Sequence, residues 1–269
     1  MPDFPMMGGA ARYEAVAPYK VDCTSPASAN DKGGYTELIA STAAHASGIF
    51  VNLVNNEEAD FLTDIAVGAA SSEQDIFSNL GAGSKKQMQN FIYHFPVAIP
   101  AGTRLSARTQ NSDATAEKCG VQVKLYSNPF PNSSSLGRVT TYGANEGDSG
   151  GVSVDPGADI DVKGAYSEIV ASTANETKLL LMYLGTQTNF SRSSGAFSFD
   201  VAIGAATSEQ IIIPDIHART SSGLDQPHLS VYGPFPINIP SGSRIAVRSQ
   251  STLNDAADRL LDVILYGVD

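Results

Sequence analysis

The stretch TDIAVGAASSEQ (63–74) returns later in the chain as FDVAIGAATSEQ (199–210), and the fold is read from this pair. In the first copy Phe61, Thr63, Ile65 and Val67 alternate with Leu62, Asp64, Ala66 and Gly68. In the second, Phe197, Phe199, Val201 and Ile203 alternate with Ser198, Asp200, Ala202 and Gly204. A period of two marks a strand with one buried face, because successive side chains point to opposite sides of a sheet.

Working outward, three more blocks recur in the same order. GYTELIASTA (34–43) returns as AYSEIVASTA (165–174), FPVAIPAGTRLSARTQ (95–110) as FPINIPSGSRIAVRSQ (235–250), and VKLY (123–126) as VILY (263–266). The offset grows from 131 at Tyr35/Tyr166 to 136 at Asp64/Asp200 and 140 at Arg104/Arg244, so the second copy carries longer loops. Ordered blocks with small insertions indicate a duplicated domain. Pro100 and Pro240 fix φ in the turns before the arginine strands, while Gly102 and Gly242 can take positive φ there. No segment has a sustained helical period with caps. Short strands broken by Gly, Pro, Asn and Ser predict an all-β fold: two tandem, duplicated antiparallel β-sandwiches of jelly-roll type behind an extended N-terminal arm. Leu105, Val121 and Val123 are expected in the first core, matched by Ile245, Leu261 and Val263 in the second.

This places an arm at 1–32, the first sandwich at 33–128, a Gly/Ser/Pro-rich linker at 129–160 and the second sandwich at 161–269. Extended residues around Gly137 to Tyr142 could add a strand to a sheet edge. The arm contains Pro2, Pro5, Gly8, Gly9 and Pro18, a composition that does not sustain an isolated helix. Its apolar residues Phe4, Met6, Met7, Tyr13, Val16 and Tyr19 would be costly to leave in water. The arm is therefore expected to dock on a neighbouring subunit or another protein, with Phe4, Met6, Met7, Tyr13 and Tyr19 as contacts, while the sandwiches fold without it. Cys23 and Cys119 read either as two reduced thiols or as one bridge tying the arm to the first domain or to a neighbour.

With 42% apolar and 17% charged residues the chain has the composition of a globular protein. Its net charge of −11 argues against binding nucleic acid phosphates. The N-terminus lacks a basic segment followed by an apolar one, so no secretory signal is expected. The longest strongly apolar run, Leu179 to Leu184, is too short to span a bilayer.

Three fragments imitate a trypsin-like serine protease: TAAH with His45, DIAV with Asp64, and GDSGG (147–151) with Ser149. Such chemistry needs a histidine to take the serine proton and a buried carboxylate to orient it. The duplication explains two fragments, since STAAH aligns with STANE, which has Glu176 where His45 stands, and Asp64 recurs as Asp200. Ser149 lies in the expected linker. No catalytic residue is therefore assigned, and the chain is expected not to be an enzyme.

His45, His94, His217 and His228 share no metal-ligand spacing. Asp155, Asp159 and Asp161, like Glu57, Glu58 and Asp60, could bind Ca²⁺ at loop tips, but neither group matches an EF-hand and solvated loop carboxylates are the favoured reading. No cofactor or metal is expected. The polar residues kept in both copies are Glu37/Glu168, Asp64/Asp200, Arg104/Arg244, Arg108/Arg248 and Gln110/Gln250. They read as a cross-strand ion-pair row on the outer face of each sheet. A saccharide site on the Tyr- and Asn-rich loops would lack tryptophan, the best stacking platform.

The block order Y-T-E-L-I-A-S-T-A, D-I-A-V-G-A-A, F-P-V-A-I-P-A-G-T-R resembles virion proteins of tailed bacteriophages and phage-derived gene transfer agents. The pattern occurs twice, at 35–126 and 166–266. The resemblance implies jelly-roll modules of a head spike, head fibre, decoration protein or tail fibre, without catalytic residues. It implies a homo-oligomer held to other virion proteins, carried outside the cell on the released particle, and able to contact host-surface polysaccharide. The alternatives are a tail, collar or baseplate-associated fibre protein, a free carbohydrate-binding module and, last, the protease.

Overall fold

The period-two blocks pair as antiparallel neighbours: Asp64 lies opposite Arg108, and Asp200 opposite Arg248. The computed structural model describes residues 12–83, 89–127, 137–186, 195–220, 231–253 and 260–269. Among these residues every regular element is a strand.

The first sandwich contains β1 (Arg12–Thr24), β2 (Thr36–Ile39), β3 (Gly48–Asn55), β4 (Phe61–Val67), β5 (Gln74–Ala82), β6 (Gln89–Phe95), β7 (Leu105–Asn111) and β8 (Lys118–Ser127). Its two sheets run in the orders β1-β8-β3-β6 and β2-β7-β4-β5, the interleaved arrangement of an eight-stranded jelly roll. The second contains β9 (Val139–Tyr142), β10 (Val152–Val154), β11 (Ser167–Val170), β12 (Thr177–Thr186), β13 (Gly195–Ile203), β14 (Gln210–Thr220), β15 (Val231–Ile239), β16 (Ile245–Ser251) and β17 (Leu261–Val268). Its sheets repeat the plan as β10-β17-β12-β15, with β9 also on β17, and β11-β16-β13-β14. Leu105, Val121 and Val123 lie in one core, and Ile245, Leu261 and Val263 in the other, as the patterning requires.

Two boundaries differ from the sequence reading. Arg12–Thr24 is not a free arm but the outer strand of the first sandwich, paired with β8 from Arg12↔Ser127 to Thr24↔Lys118. Its counterpart lies in the expected linker: β9 pairs Tyr142 with Leu265, and β10 pairs Val154 with Leu261. One strand of copy one, bulged between Val16 and Val21, thus corresponds in copy two to two short strands separated by residues 143–151. The missing repeat had been hidden because β1, β9 and β10 share pairing partners but not sequence. Phe4, Met6 and Met7 lie outside the described residues. Tyr13 stands opposite Tyr126 in the ladder, and Tyr19 falls in the bulge.

The segments that cross between sheets are duplicated too. Asn30 and Asp161 both adopt positive φ, 64° and 58°. Asn30 N and Gly33 N donate to the Asn111 and Thr109 carbonyls; Asp161 N and Gly164 N donate to those of Ser251 and Ser249. The duplicated turns close alike, with Thr42 Oγ1 bonded to Pro100 O and Thr173 Oγ1 to Pro240 O.

Deleting residues 2–20 should therefore destabilise the first sandwich, contrary to what a detachable arm would do. Removing the Arg12–Lys20 part of β1 strips hydrogen-bond partners from the Val123–Ser127 end of β8. The expected result in thermal unfolding is an early transition absent from the full chain; an unchanged melting profile would contradict the assignment of β1.

Candidate functional site

The duplicated polar residues gather on the outer face of one sheet in each sandwich. In copy one, Asp64 is 2% exposed and fully occupied: it accepts from Lys32 Nζ, Arg108 Nε and the Asn79 amide, each at 2.8 Å. In copy two, Asp200 accepts from Lys163 Nζ at 2.8 Å, Arg248 Nε at 2.9 Å and the Asp215 amide at 3.1 Å. Arg108 lies over the Tyr35 ring and Arg248 over that of Tyr166. Nearby, Arg104 joins Glu37 and Glu73, and Arg244 joins Glu168 and Glu209.

The ion-pair row read from the sequence is thus present in both copies, with members that reading missed. Lys32 and Lys163 were overlooked because they had been assigned outside the first sandwich or near the edge of the second. Their offset of 131 equals that of Tyr35/Tyr166 and was available as a signal. Each lysine pins its crossing segment onto the sheet. A buried carboxylate is tolerable only when its charge and lone pairs are met, and here they are.

Burial works against ionisation of Asp200, but Lys163, the Asp215 amide and Arg248 outweigh it and hold its pKa below the ordinary value. Burial pushes the Cys23 and Cys119 thiols up to about 12, disfavouring the reactive thiolate. Both thiols are free and buried, and they stand directly opposite each other on β1 and β8. Opposed residues in an antiparallel ladder have Cα atoms about 4.5–5.5 Å apart, a separation a disulfide can span. Any bridge would clip β1 within its own sandwich.

The protease-like residues are dispersed. Ser149 is buried at positive φ; its hydroxyl donates to Asn30 Oδ1 at 2.8 Å and accepts from Gln110 Nε2 at 3.0 Å. Asp64 is bound to Lys32 and Arg108, and His45 is exposed. GDSGG belongs to the loop between β9 and β10, which reaches across to the first sandwich. There Glu146 Oε1 accepts from Asn79 Nδ2, the Glu146 carbonyl from Gln110 Nε2, and the Gly147 carbonyl from Asn30 Nδ2. The expected linker is therefore a clasp between domains.

Beneath the clasp lies a contact the sequence reading did not anticipate. Leu181, Tyr183, Ile264, Tyr266 and Val268, on the outer face of the second sandwich, are buried in the core of the first. Tyr266 Oη accepts from the Gly81 amide and donates to the Asn79 carbonyl, both at 2.9 Å. Tyr183 Oη accepts from the Gly83 amide at 2.8 Å. Tyr266 also meets Tyr93 edge-on, with centroids 5.4 Å apart. Burying five such side chains contributes on the order of 10 kcal/mol. A Cβ on Gly81 would come within 2.6 Å of the Tyr183 ring, so glycine is required for the approach.

His94 stacks on Phe50 at 4.5 Å and bonds Tyr126 Oη at 2.6 Å, beside a groove of about 330 Å³ lined by Phe50, Asn52, Ile92, Gln122 and Lys124. His217 lies on β14, and His228 falls outside the described residues. Among the described residues no cluster of three or more ligating side chains is placed to hold a metal ion, and no helix is long and apolar enough to cross a membrane.

No family model matches the chain, and no curated protein matches it. Among solved structures it is similar to the STIV MCP, with a TM-score of 0.41 and 8% identity over 97% of this chain and 96% of that one. It is also similar to PNGF-II, at 0.35 and 10% over 95% of this chain and 66% of that one. A third is the CBM22-1-CBM22-2 tandem domain of Paenibacillus barcinonensis Xyn10C, at 0.26 and 8% over 97% and 92%. At such scores these likenesses say nothing about function, and the jelly-roll assignment rests on the strand order above.

Because Asp200 titrates below its unfolded value, its stabilisation is complete above about pH 3.9 and lost as pH falls through the lower folded pKa. Asp200→Asn should cost on the order of 3 kcal/mol at pH 7 by removing the carboxylate that Arg248 and Lys163 share, Lys163 keeping only Asp215. The gap from the parent should narrow steadily as the pH falls below about 3.9. Urea titrations across that range check this; a gap independent of pH would show that the carboxylate charge is not what matters.

Proposed function

We propose that this chain is a non-enzymatic structural protein of a phage-like particle, anchored to the virion as a head spike, head fibre or decoration protein. The observation that carries this reading is how the polar residues common to both copies are used. The charged ones neutralise one another inside each jelly roll and hold crossing segments in place. The largest unshared features, the tyrosine contact and the clasp, serve to hold the two rolls as one unit. Such a body suits the presentation of surfaces to partners, and jelly rolls present loops and edges for this purpose. The repeated sequence blocks, resembling phage and gene-transfer-agent virion proteins, supply the particle context.

In this reading the partners are other virion proteins and further copies of the chain, with host-surface polysaccharide as a contact and no cofactor. Because residues 12–24 are occupied within the first sandwich, the anchoring role passes to Phe4, Met6 and Met7. A position on a tail, collar or baseplate is the nearest alternative. A free carbohydrate-binding module follows, and the protease comes last because the Ser149 hydroxyl is engaged by two amide side chains.

The test is mass spectrometry and immunogold labelling of purified particles from the producing strain, with a fluorophosphonate probe applied to the isolated chain. The expected result is stoichiometric presence on particles and no labelling of Ser149. Absence from particles, or labelling that His45→Ala abolishes, would overturn the proposal.

A further inference from the structure

The duplication gives the contact between sandwiches a second use. The ladders define equivalent positions: Tyr183 lies opposite Ile264 as Phe50 lies opposite Lys124, and Leu181 lies opposite Tyr266 as Gly48 lies opposite Tyr126. The face that copy two buries against copy one is thus, in copy one itself, the open face carrying Phe50, Lys124 and Tyr126. It holds the groove of about 330 Å³, and Ile92 at its rim is 58% exposed.

The edge that fills such a face also has its equivalent. Leu62 lies opposite Gly81 as Ser198 lies opposite His217, so Gly81 of β5 and Gly83 just after it correspond to His217 and Arg219 of β14. Gly81 and Gly83 are buried by the second sandwich, whereas Asp215, His217 and Arg219 are exposed. Among the described residues the chain therefore has one face and one edge of a repeating contact, both uncovered.

We propose that the outer face of the β1-β8-β3-β6 sheet receives the β14 edge of a second copy of this chain, repeating between molecules the contact made within each. The sizes of the side chains are exchanged in compensating fashion. Within the chain, a full face (Leu181, Tyr183, Ile264, Tyr266) meets an edge emptied by glycines. Between chains, a face with a groove lined by Phe50, Asn52, Ile92, Gln122 and Lys124 meets an edge bearing His217 and Arg219. The aromatic rings of Phe50 and Tyr126 offer a seat for the Arg219 guanidinium. The contact is head-to-tail, so it closes into a ring or runs on as a filament according to the rotation it imposes. It is more polar than the contact within the chain, as befits one formed after folding.

This inference does not depend on membership of a particle and is tested on the purified chain. A face variant combines Ile92→Glu with Lys124→Glu; an edge variant combines His217→Glu with Arg219→Glu. All four positions are exposed or at a rim, so circular dichroism should show both variants folded like the parent. By light scattering, the parent should associate increasingly with concentration, and each variant alone should remain monomeric. An equimolar mixture should give a one-to-one dimer and nothing larger, because it contains one intact face and one intact edge per pair. A monomeric parent, association that survives both variants, or a mixture that stays monomeric would each overturn the proposal. Binding of a soluble glycan in the groove with no self-association would likewise assign that face to another ligand.

Discussion

Two tyrosine hydroxyls set against the backbone of an edge strand are the constraint on which the rest of this molecule depends. Strand β5 ends its sheet, and an open edge leaves amides and carbonyls that pair with any other strand or must be covered. Tyr266 and Tyr183 cover it from the second sandwich, meeting the amides of Gly81 and Gly83 and the carbonyl of Asn79. Each hydroxyl is itself buried, so each would cost about 1–3 kcal/mol if its partner were lost. Edge and face therefore need each other. This explains why the first hydrophobic core contains side chains of both copies.

The charged clusters perform a different task inside each roll. The crossing segments 30–34 and 161–165 carry the chain from one sheet to the other, and a lysine in each reaches a buried aspartate. Since Asp64 and Asp200 are also met by an arginine and a backbone amide, the segment, two strands and a turn are tied at one point. The repetition of that arrangement in both copies makes it a property of the fold. What differs between copies is concentrated at the junction: Gly81 against His217, Asn79 against Asp215, and the loop inserted between β9 and β10.

Much of the fold was legible because alternation and repetition are local. Ile65, Val67, Val201 and Ile203 announced strands, and the block order announced two equal domains. The outer strands were not legible: β1 shares no sequence with β9 and β10, and pairing across more than a hundred residues leaves no local trace. The junction did leave a signal. Leu179 to Leu184 is continuously apolar where the equivalent Ala46 to Val51 is broken by Ser47 and Gly48, and a continuous run marks a strand buried on both faces. Leu180, Met182 and Leu184 enter the second core while Leu181 and Tyr183 enter the first. The ion clusters are legible as pairs, but a first-domain boundary at 33 leaves Lys32 outside and so hides its match with Lys163.

The account stands or falls on whether β5 is a covered edge, and amide hydrogen exchange reads this directly at Gly81 and Gly83. An exposed edge strand exchanges its outward amides by local fluctuation, whereas amides held by buried hydroxyls exchange only when the structure opens. The account predicts that Gly81 and Gly83 are protected to the level of the central strands β4 and β7. Rapid exchange at both positions in the folded chain would show that the two sandwiches do not share this contact.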